Sequence, residues 1–206
     1  MTLAPYESRL FVFGEAAKAQ KPTPKAQPQR RPLDGGWTIA FGDQPAKPLT
    51  TFGSWADDPA KAHYSGVTTY SRTIKLSPAD LKAGLTRLSF GEGTAEPIPS
   101  GRRTGSQAWL SAPVRDAAEV FVNGKRAGAV WTSPFSIDLK PYLKAGDNRI
   151  DIRVANTAIN VLSGQPPTDY SALNAKYGER FTPQNMNNLQ PLPSGLMQAP
   201  VLETAP

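Results

Sequence analysis

The chain predicts an all-β protein of antiparallel sheets, and three observations carry that prediction. Apolar residues alternate with polar ones at Val120, Val122 and Val130, and again at Ile150, Ile152 and Val154, which is the period of strands with one buried and one wet face. Asn123-Gly124 separates the first two runs, and the tolerance of this pair for positive φ at both central turn positions marks a tight β-hairpin. A second turn, Ala145-Gly146-Asp147-Asn148, separates Tyr142-Leu143 from a strand running Arg149 to Ala155. No helix long enough for a βαβ crossover lies between these strands, so successive strands pair antiparallel.

From the start of the chain, Leu3 to Tyr6 reads as a turn and Leu10 to Phe13 as one strand ending at Gly14. A lone strand has no ladder partner for its backbone and no cover for its apolar face, so residues 1–14 are assigned to the end of a preceding domain. Residues 15–32 follow as a tether, because Pro22, Pro24, Pro28 and Pro32 among Ala, Gln and Lys favour extended, solvated chain. Residues 33–206 are assigned to a sandwich and its tail.

Within that region Trp37 to Phe41 is the first strand, with Trp37 in the core, and Thr51 to Trp55 leads into a turn at Asp57-Asp58-Pro59. Val67 to Leu76 is the next strand. Ser77 is placed to N-cap a helical turn with Pro78 at its first position, where the missing N–H costs nothing. Leu85 to Phe90 resumes strand, and Gly91 to Gln107, rich in Gly, Pro and Ser, reads as a long loop. Beyond Asn160 the alternation stops. Asp169 caps a short helix, Tyr170 to Lys176, that Gly178 ends, and Pro200-Val201-Leu202 supplies a closing strand. The tail either covers a sheet face or offers the amides of Asn185, Asn187, Asn188 and Gln190 to sugar hydroxyls, and the covering role is favoured.

Composition excludes several functions. At 206 residues and 39% hydrophobic content the chain buries one sizeable core. It has no cysteine, which removes disulfides and thiolate metal sites but leaves the compartment open. No apolar run approaches the roughly 20 residues of a membrane span, and Met1 to Gly14 lacks the pattern of a secretory signal. The sequence pI is near 9.6, yet residues 15–32 hold five basic residues against one acidic, four of the net +6. Basicity concentrated in a tether, with no RNA-binding aromatic signature or helix-turn-helix beside it, argues against nucleic acid.

Val122-Asn123-Gly124, Trp131, Pro134, Phe135, Asp138-Leu139, Tyr142-Leu143, Gly146, Asn148 and the run Ile152 to Asn156 resemble, in that order, the galactose-binding-like β-sandwich attached to many glycoside hydrolases, including family 2 enzymes. His63 to Gly66 leading into Thr69 to Ile74 is similar to an early strand of the same domain. The tail, Tyr177 to Phe181 and then Gln190 to Leu196, resembles the extreme C-terminus of family 106 enzymes of the α-L-rhamnosidase type, and Pro5-Tyr6-Glu7-Ser8 resembles the close of the domain before their terminal sandwich. Against that pattern Gly91 to Gln107 looks like an insertion. The resemblance implies an antiparallel jelly-roll sandwich at the end of a longer polypeptide, the catalytic domain of the parent hydrolase as partner, and a periplasmic or extracellular location. It also implies that the catalytic carboxylates belong to a barrel domain outside this chain.

The residues agree with a non-catalytic role. His63 is the only histidine, and no His-Glu-x-x-His, Gly-x-Ser-x-Gly or P-loop pattern occurs, so zinc hydrolysis and nucleophilic triads lack their parts. Glycoside hydrolysis needs two carboxylates about 5 to 9.5 Å apart. Asp57 with Asp58, Glu92 with Glu96, and Asp138 with Asp151 lack surroundings that would raise a carboxyl pKa, so no catalytic residue is assigned.

Sugar binding asks for an exposed aromatic face with amides or charged groups beside it. The candidates are Trp55, Trp131, Tyr70, Tyr142, Asn156 and Asn160, with Tyr64 as a further platform. Trp55, beside the double-aspartate turn, is the preferred stacking residue. Trp131 ends a strand before Thr132-Ser133-Pro134, and packing against the sheet edge is favoured for it. Asn156 and Asn160 either cap strand ends or reach a ligand, and Asn123 is assigned to the turn alone. No metal site is assigned and no cofactor is expected. A structural calcium is common in galactose-binding-like folds, and Asp57, Asp58 or Asp147 are available to it, but no calcium-loop spacing is present. The resulting expectation is an accessory, carbohydrate-binding-like domain of a rhamnosidase-like hydrolase; a free-standing lectin-like module, or a hydrolase in its own right, are the alternatives.

Overall fold

The structure, a computed structural model, describes residue 10 and residues 29–97, 109–166, 168–181 and 188–204. The predicted strand at Leu10 to Phe13, the tether through residue 28, loop residues 98–107, and Asn185 and Asn187 lie outside them, apart from Leu10, which is exposed.

In chain order the strands are β1 (Arg30–Pro32), β2 (Thr38–Phe41), β3 (Lys47–Pro48), β4 (Val67–Leu76), β5 (Leu85–Ser89), β6 (Thr94–Glu96), β7 (Trp109–Ser111), β8 (Val114–Arg115), β9 (Ala117–Val122), β10 (Lys125–Val130), β11 (Ser136–Asp138), β12 (Gly146–Ala155), β13 (Gly195–Leu196) and β14 (Val201–Thr204). Short helices α1 (Pro78–Lys82), α2 (Ile159–Ser163) and α3 (Ser171–Tyr177) lie in the connections. A six-stranded sheet runs β10-β9-β12-β4-β2-β3 and a four-stranded sheet β1-β14-β5-β11. All neighbouring pairs are antiparallel. The fold is an all-β sandwich.

Alternation builds its core. Along β12 Asn148, Ile150, Ile152 and Val154 are fully buried and Asp147, Arg149 and Arg153 are exposed. β9 contributes Ala118, Val120 and Val122, and β4 contributes Tyr70, Ile74 and Leu76. The smaller sheet answers with Leu88 and Leu202, both at 0% exposure, and Phe90 and Phe135 close the cluster. The hairpin is a two-residue turn, Lys125 pairing with Val122 across Asn123 (φ 51) and Gly124 (φ 79). Ser77 caps α1 as its sequence predicts, with Asp80 returning the bond to complete a capping box.

Several elements differ from the sequence expectation. Arg30–Pro32, read as the end of the tether, forms β1 and pairs with Val201 to Glu203, so the sheet begins before Trp37. The Gly91 to Gln107 segment holds β6, which pairs with β7. Asn123 does more than turn the chain: its Nδ2 donates to the Tyr142 carbonyl at 3.1 Å and to Asn148 Oδ1 at 3.0 Å, and its Oδ1 accepts from Arg149 N. Asn148, fully buried, also donates to the carbonyls of Lys144 and Gly146 and accepts from Lys144 N. A buried amide with every polar position engaged fixes the 139–148 loop against the hairpin.

Tyr70 reports on this packing. Its ring is 2% exposed, its hydroxyl accepts from Leu196 N at 3.4 Å, and burial pushes its pKa from 10.0 to about 12, the Leu196 bond opposing weakly. The folded pKa lies above the unfolded one, so the stability Tyr70 contributes is complete below pH 10.0 and declines as pH rises toward 12. Spectrophotometric tyrosine titration should show one phenol ionising near pH 12, with alkaline loosening of the fold, and Tyr70→Phe should remove that step; retention of the step in Tyr70→Phe would refute its assignment.

Candidate functional site

The tail decides which predicted site residues face solvent. The carbonyl of Ser194 accepts from Trp55 N at 3.0 Å, that of Leu196 accepts from Gly53 N at 2.9 Å, and Met197 N donates to the Pro113 carbonyl at 3.0 Å. Gly195 (φ 114) passes directly over two aromatics: a Cβ there would lie 2.7 Å from the Tyr70 hydroxyl and 2.8 Å from Trp55 Cε3. Trp55 is therefore 6% exposed, edge-on to Phe41 and Tyr64 with centroids 5.7 and 6.1 Å away. The expectation that Trp55 and Tyr70 are stacking platforms is corrected, because a segment more than a hundred residues distant covers both.

The two asparagines hold that cover down. Asn160, at 0% exposure, donates to the carbonyls of Ala62 and Leu192 and accepts from Leu192 N. Asn156 donates to the Tyr64 carbonyl and Ser194 Oγ and accepts from Gly66 N. Both amides are consumed within the fold and are withdrawn as ligand contacts. Tyr142 is partly buried against the core. Trp131 goes the other way: it is 72% exposed at the end of β10 rather than packed on the sheet edge. Among the described residues no three His, Asp or Glu gather as metal ligands, and Asp58 instead accepts from Ala60 N at 3.0 Å.

The outer face of the four-stranded sheet carries a groove of about 580 Å³. Leu88 and Leu202 point inward, so their neighbours Arg87 and Glu203 point outward, and the register sets Arg30, Glu203, Arg87 and Asp138 in one row across four strands. Glu203 is 5% exposed, yet it is not stranded: Arg87 Nε and Nη2 donate to its Oε1 at 2.9 and 2.7 Å, and Arg30 Nε lies 3.4 Å from Oε2. Ser89, Ser136, Glu92 and the Ser133-Pro134-Phe135 loop complete the lining. Trp131 stands two residues before that loop. A second hollow of about 320 Å³ shares Glu92 and runs past Ser111 and Arg115, below β7, whose Trp109 is 48% exposed.

This arrangement offers arginine donors, hydroxyls and an apolar wall, which suits a ligand rich in hydroxyl groups. The Glu203 carboxylate in its lining has its oxygens engaged by two guanidinium groups. Sequence reasoning missed Arg30, Arg87 and Glu203. Within Leu85–Ser89 the only local signal is a charged residue, Arg87, preceding the apolar Leu88.

An antiparallel sandwich of this build occurs as one domain within large glycoside hydrolases. No family model matches the chain. A putative β-glucuronidase of Formosa agariphila is 26% identical over 180 residues, which cover 82% of this chain and 13% of that protein. The rhamnosidase of Novosphingobium sp. PP1Y has the same fold over 91% of this chain and 16% of its own, with TM-score 0.54 and 24% identity. The β-glucuronidase of Bifidobacterium dentium, solved with coumarin-3-O-glucuronide, matches 90% of this chain and 31% of its own, with TM-score 0.55 and 19% identity. The chain thus spans less than a third of the length of each.

Trp55→Ala should cost about 3 to 5 kcal/mol in urea denaturation, the range for deleting a buried ring; a cost below about 1 kcal/mol would mean the tail does not cover it. Arg87 and Glu203 should couple by about 1 to 3 kcal/mol in a double-mutant cycle built on Arg87→Met and Glu203→Gln, allowing for the partial exposure of the arginine. Additive single effects would show the row to be a solvated surface.

Proposed function

We propose that this chain is a non-catalytic accessory domain of a larger glycoside hydrolase of the rhamnosidase type, one that supports the catalytic domain and touches glycan. The observation that carries this reading is coverage: nearly the whole chain matches, and each relative continues far beyond the match. Family 106 membership rests on the tail motif Gln190 to Leu196, whose Ser194-Gly195-Leu196 covers Trp55. The partner is the catalytic domain of the parent, in the periplasm or outside the cell, with no cofactor, nucleic acid or membrane involved.

Glycan contact is placed at the groove over the four-stranded sheet. Trp131, exposed and two residues before the Ser133-Pro134-Phe135 wall, is the proposed stacking face, and the serines, Arg30 and Glu92 of the groove are the proposed partners for hydroxyls. Because a single exposed platform on an open groove gives weak binding, affinity in the millimolar range is expected, on the order of −4 kcal/mol.

Two measurements test the reading. The purified chain should not turn over aryl rhamnosides or aryl galactosides, and turnover abolished by Glu92→Gln would overturn the accessory assignment. Glycan-array or calorimetric binding should fall about tenfold in Trp131→Ala with stability unchanged; binding indifferent to Trp131 removes the groove as the contact.

A further inference from the structure

Arg72 breaks the pattern that builds the core. The inward positions of β4 are Thr68, Tyr70, Arg72, Ile74 and Leu76, and the other four are at most 3% exposed. Among the inward positions of β9, β12 and β4, the strands at the centre of the larger sheet, Arg72 is the one charged residue. An inward charge on an edge strand blunts aggregation, but β4 is not an edge. A local rule broken at a central position marks a site.

The Arg72 Nη1 is buried without a hydrogen-bond partner among the described residues. The guanidinium lies 6.0 Å from the Trp37 ring centroid and sits under Gly36, where even a Cβ would be 3.9 Å from Nε. Burial, and then Arg31, pull its pKa below the ordinary arginine value, with Asp34 opposing. The nearby arginines are committed elsewhere. Arg149 Nε holds both oxygens of Asp151 at 3.0 Å, and Arg31 reaches the Lys75 carbonyl at 3.2 Å and Asp80 at 3.8 Å.

A hollow of about 340 Å³ opens on Arg72 between Gly36, Thr38, Ser71, Thr73 and Arg149. A guanidinium fork matches two coplanar oxygens, and one without a hydrogen-bonded acid suits a monoanion better than a dianion. We propose that Arg72 forms the centre of a carboxylate-binding site where β2 and β4 begin to pair, beside Gly36 and Trp37. The site is on the opposite sheet from the groove and stands whether or not the chain serves a larger hydrolase.

Acetate and D-glucuronate are the probes, titrated into the full chain with glucose and inorganic phosphate as controls. The readouts are the Arg72 Nε side-chain resonance and the backbone amides of Gly36 and Thr38. Saturable shifts are expected with both carboxylates, at dissociation constants on the order of 10 mM or tighter, and none with glucose. Tighter glucuronate than acetate identifies a sugar acid as the source, and equal affinity a free small carboxylate. Arg72→Gln should weaken binding at least about tenfold, and Arg72→Lys, which keeps the charge without the fork, about three- to tenfold. Absent saturation, phosphate bound more tightly than acetate, or unchanged affinity in Arg72→Gln overturns the proposal. If Arg72→Gln does not fold, unchanged affinity in Arg72→Lys overturns it equally.

Discussion

The antiparallel register of β4 on β12 runs ten residues, Val67 to Leu76 against Ala155 to Gly146, and the rest of the molecule is arranged around it. Because side chains alternate, that one register commits Ile150, Ile152 and Val154 to the same face as Tyr70, Ile74 and Leu76, and a slip of one residue would turn them all to solvent. β9 then pairs on the free side of β12, and β2 on the free side of β4. What closes the second layer is the end of the chain: β14 lies between β1 and β5, inside the smaller sheet rather than at its edge.

That placement gives the tail two structural duties. Leu202 fills the core at 0% exposure, and Ser194 to Met197 seals the side of the sandwich over Trp55 and Tyr70. The seal needs polar fasteners, since extended backbone that leaves water must find partners elsewhere. Asn156 and Asn160 serve this need, which is why amides that look like ligand contacts in the sequence are buried fittings in the structure.

The two outer faces of the sandwich differ in kind. On the six-stranded sheet, charges are spent on neighbours in the same plane: Arg126 on Glu119, Arg149 on Asp151, and Arg153 over the Phe121 ring at 4.4 Å. On the four-stranded sheet the row from Arg30 to Asp138 sinks the Glu203 carboxylate into the lining of a groove. That face therefore combines concavity with mixed polarity.

Much of the fold was legible because its signals are local. Val67 to Leu76, the Asn123-Gly124 turn, the Ser77 cap and the strand ending at Ala155 depend on period, turn chemistry and capping, each contained within a few residues. The binding candidates were mostly illegible, since exposure of a ring depends on what folds over it. Trp55 and Trp131 both precede polar segments in the sequence, yet one is sealed by Gly195 and the other left bare. The sequence by itself determined the all-β class and the inward residues of β9 and β12, because alternation is written in neighbouring positions. Only the tertiary structure decided that Arg30, Arg87 and Glu203 stand in one row and that the tail covers the aromatics, because pairing between segments more than a hundred residues apart leaves no mark on either segment alone.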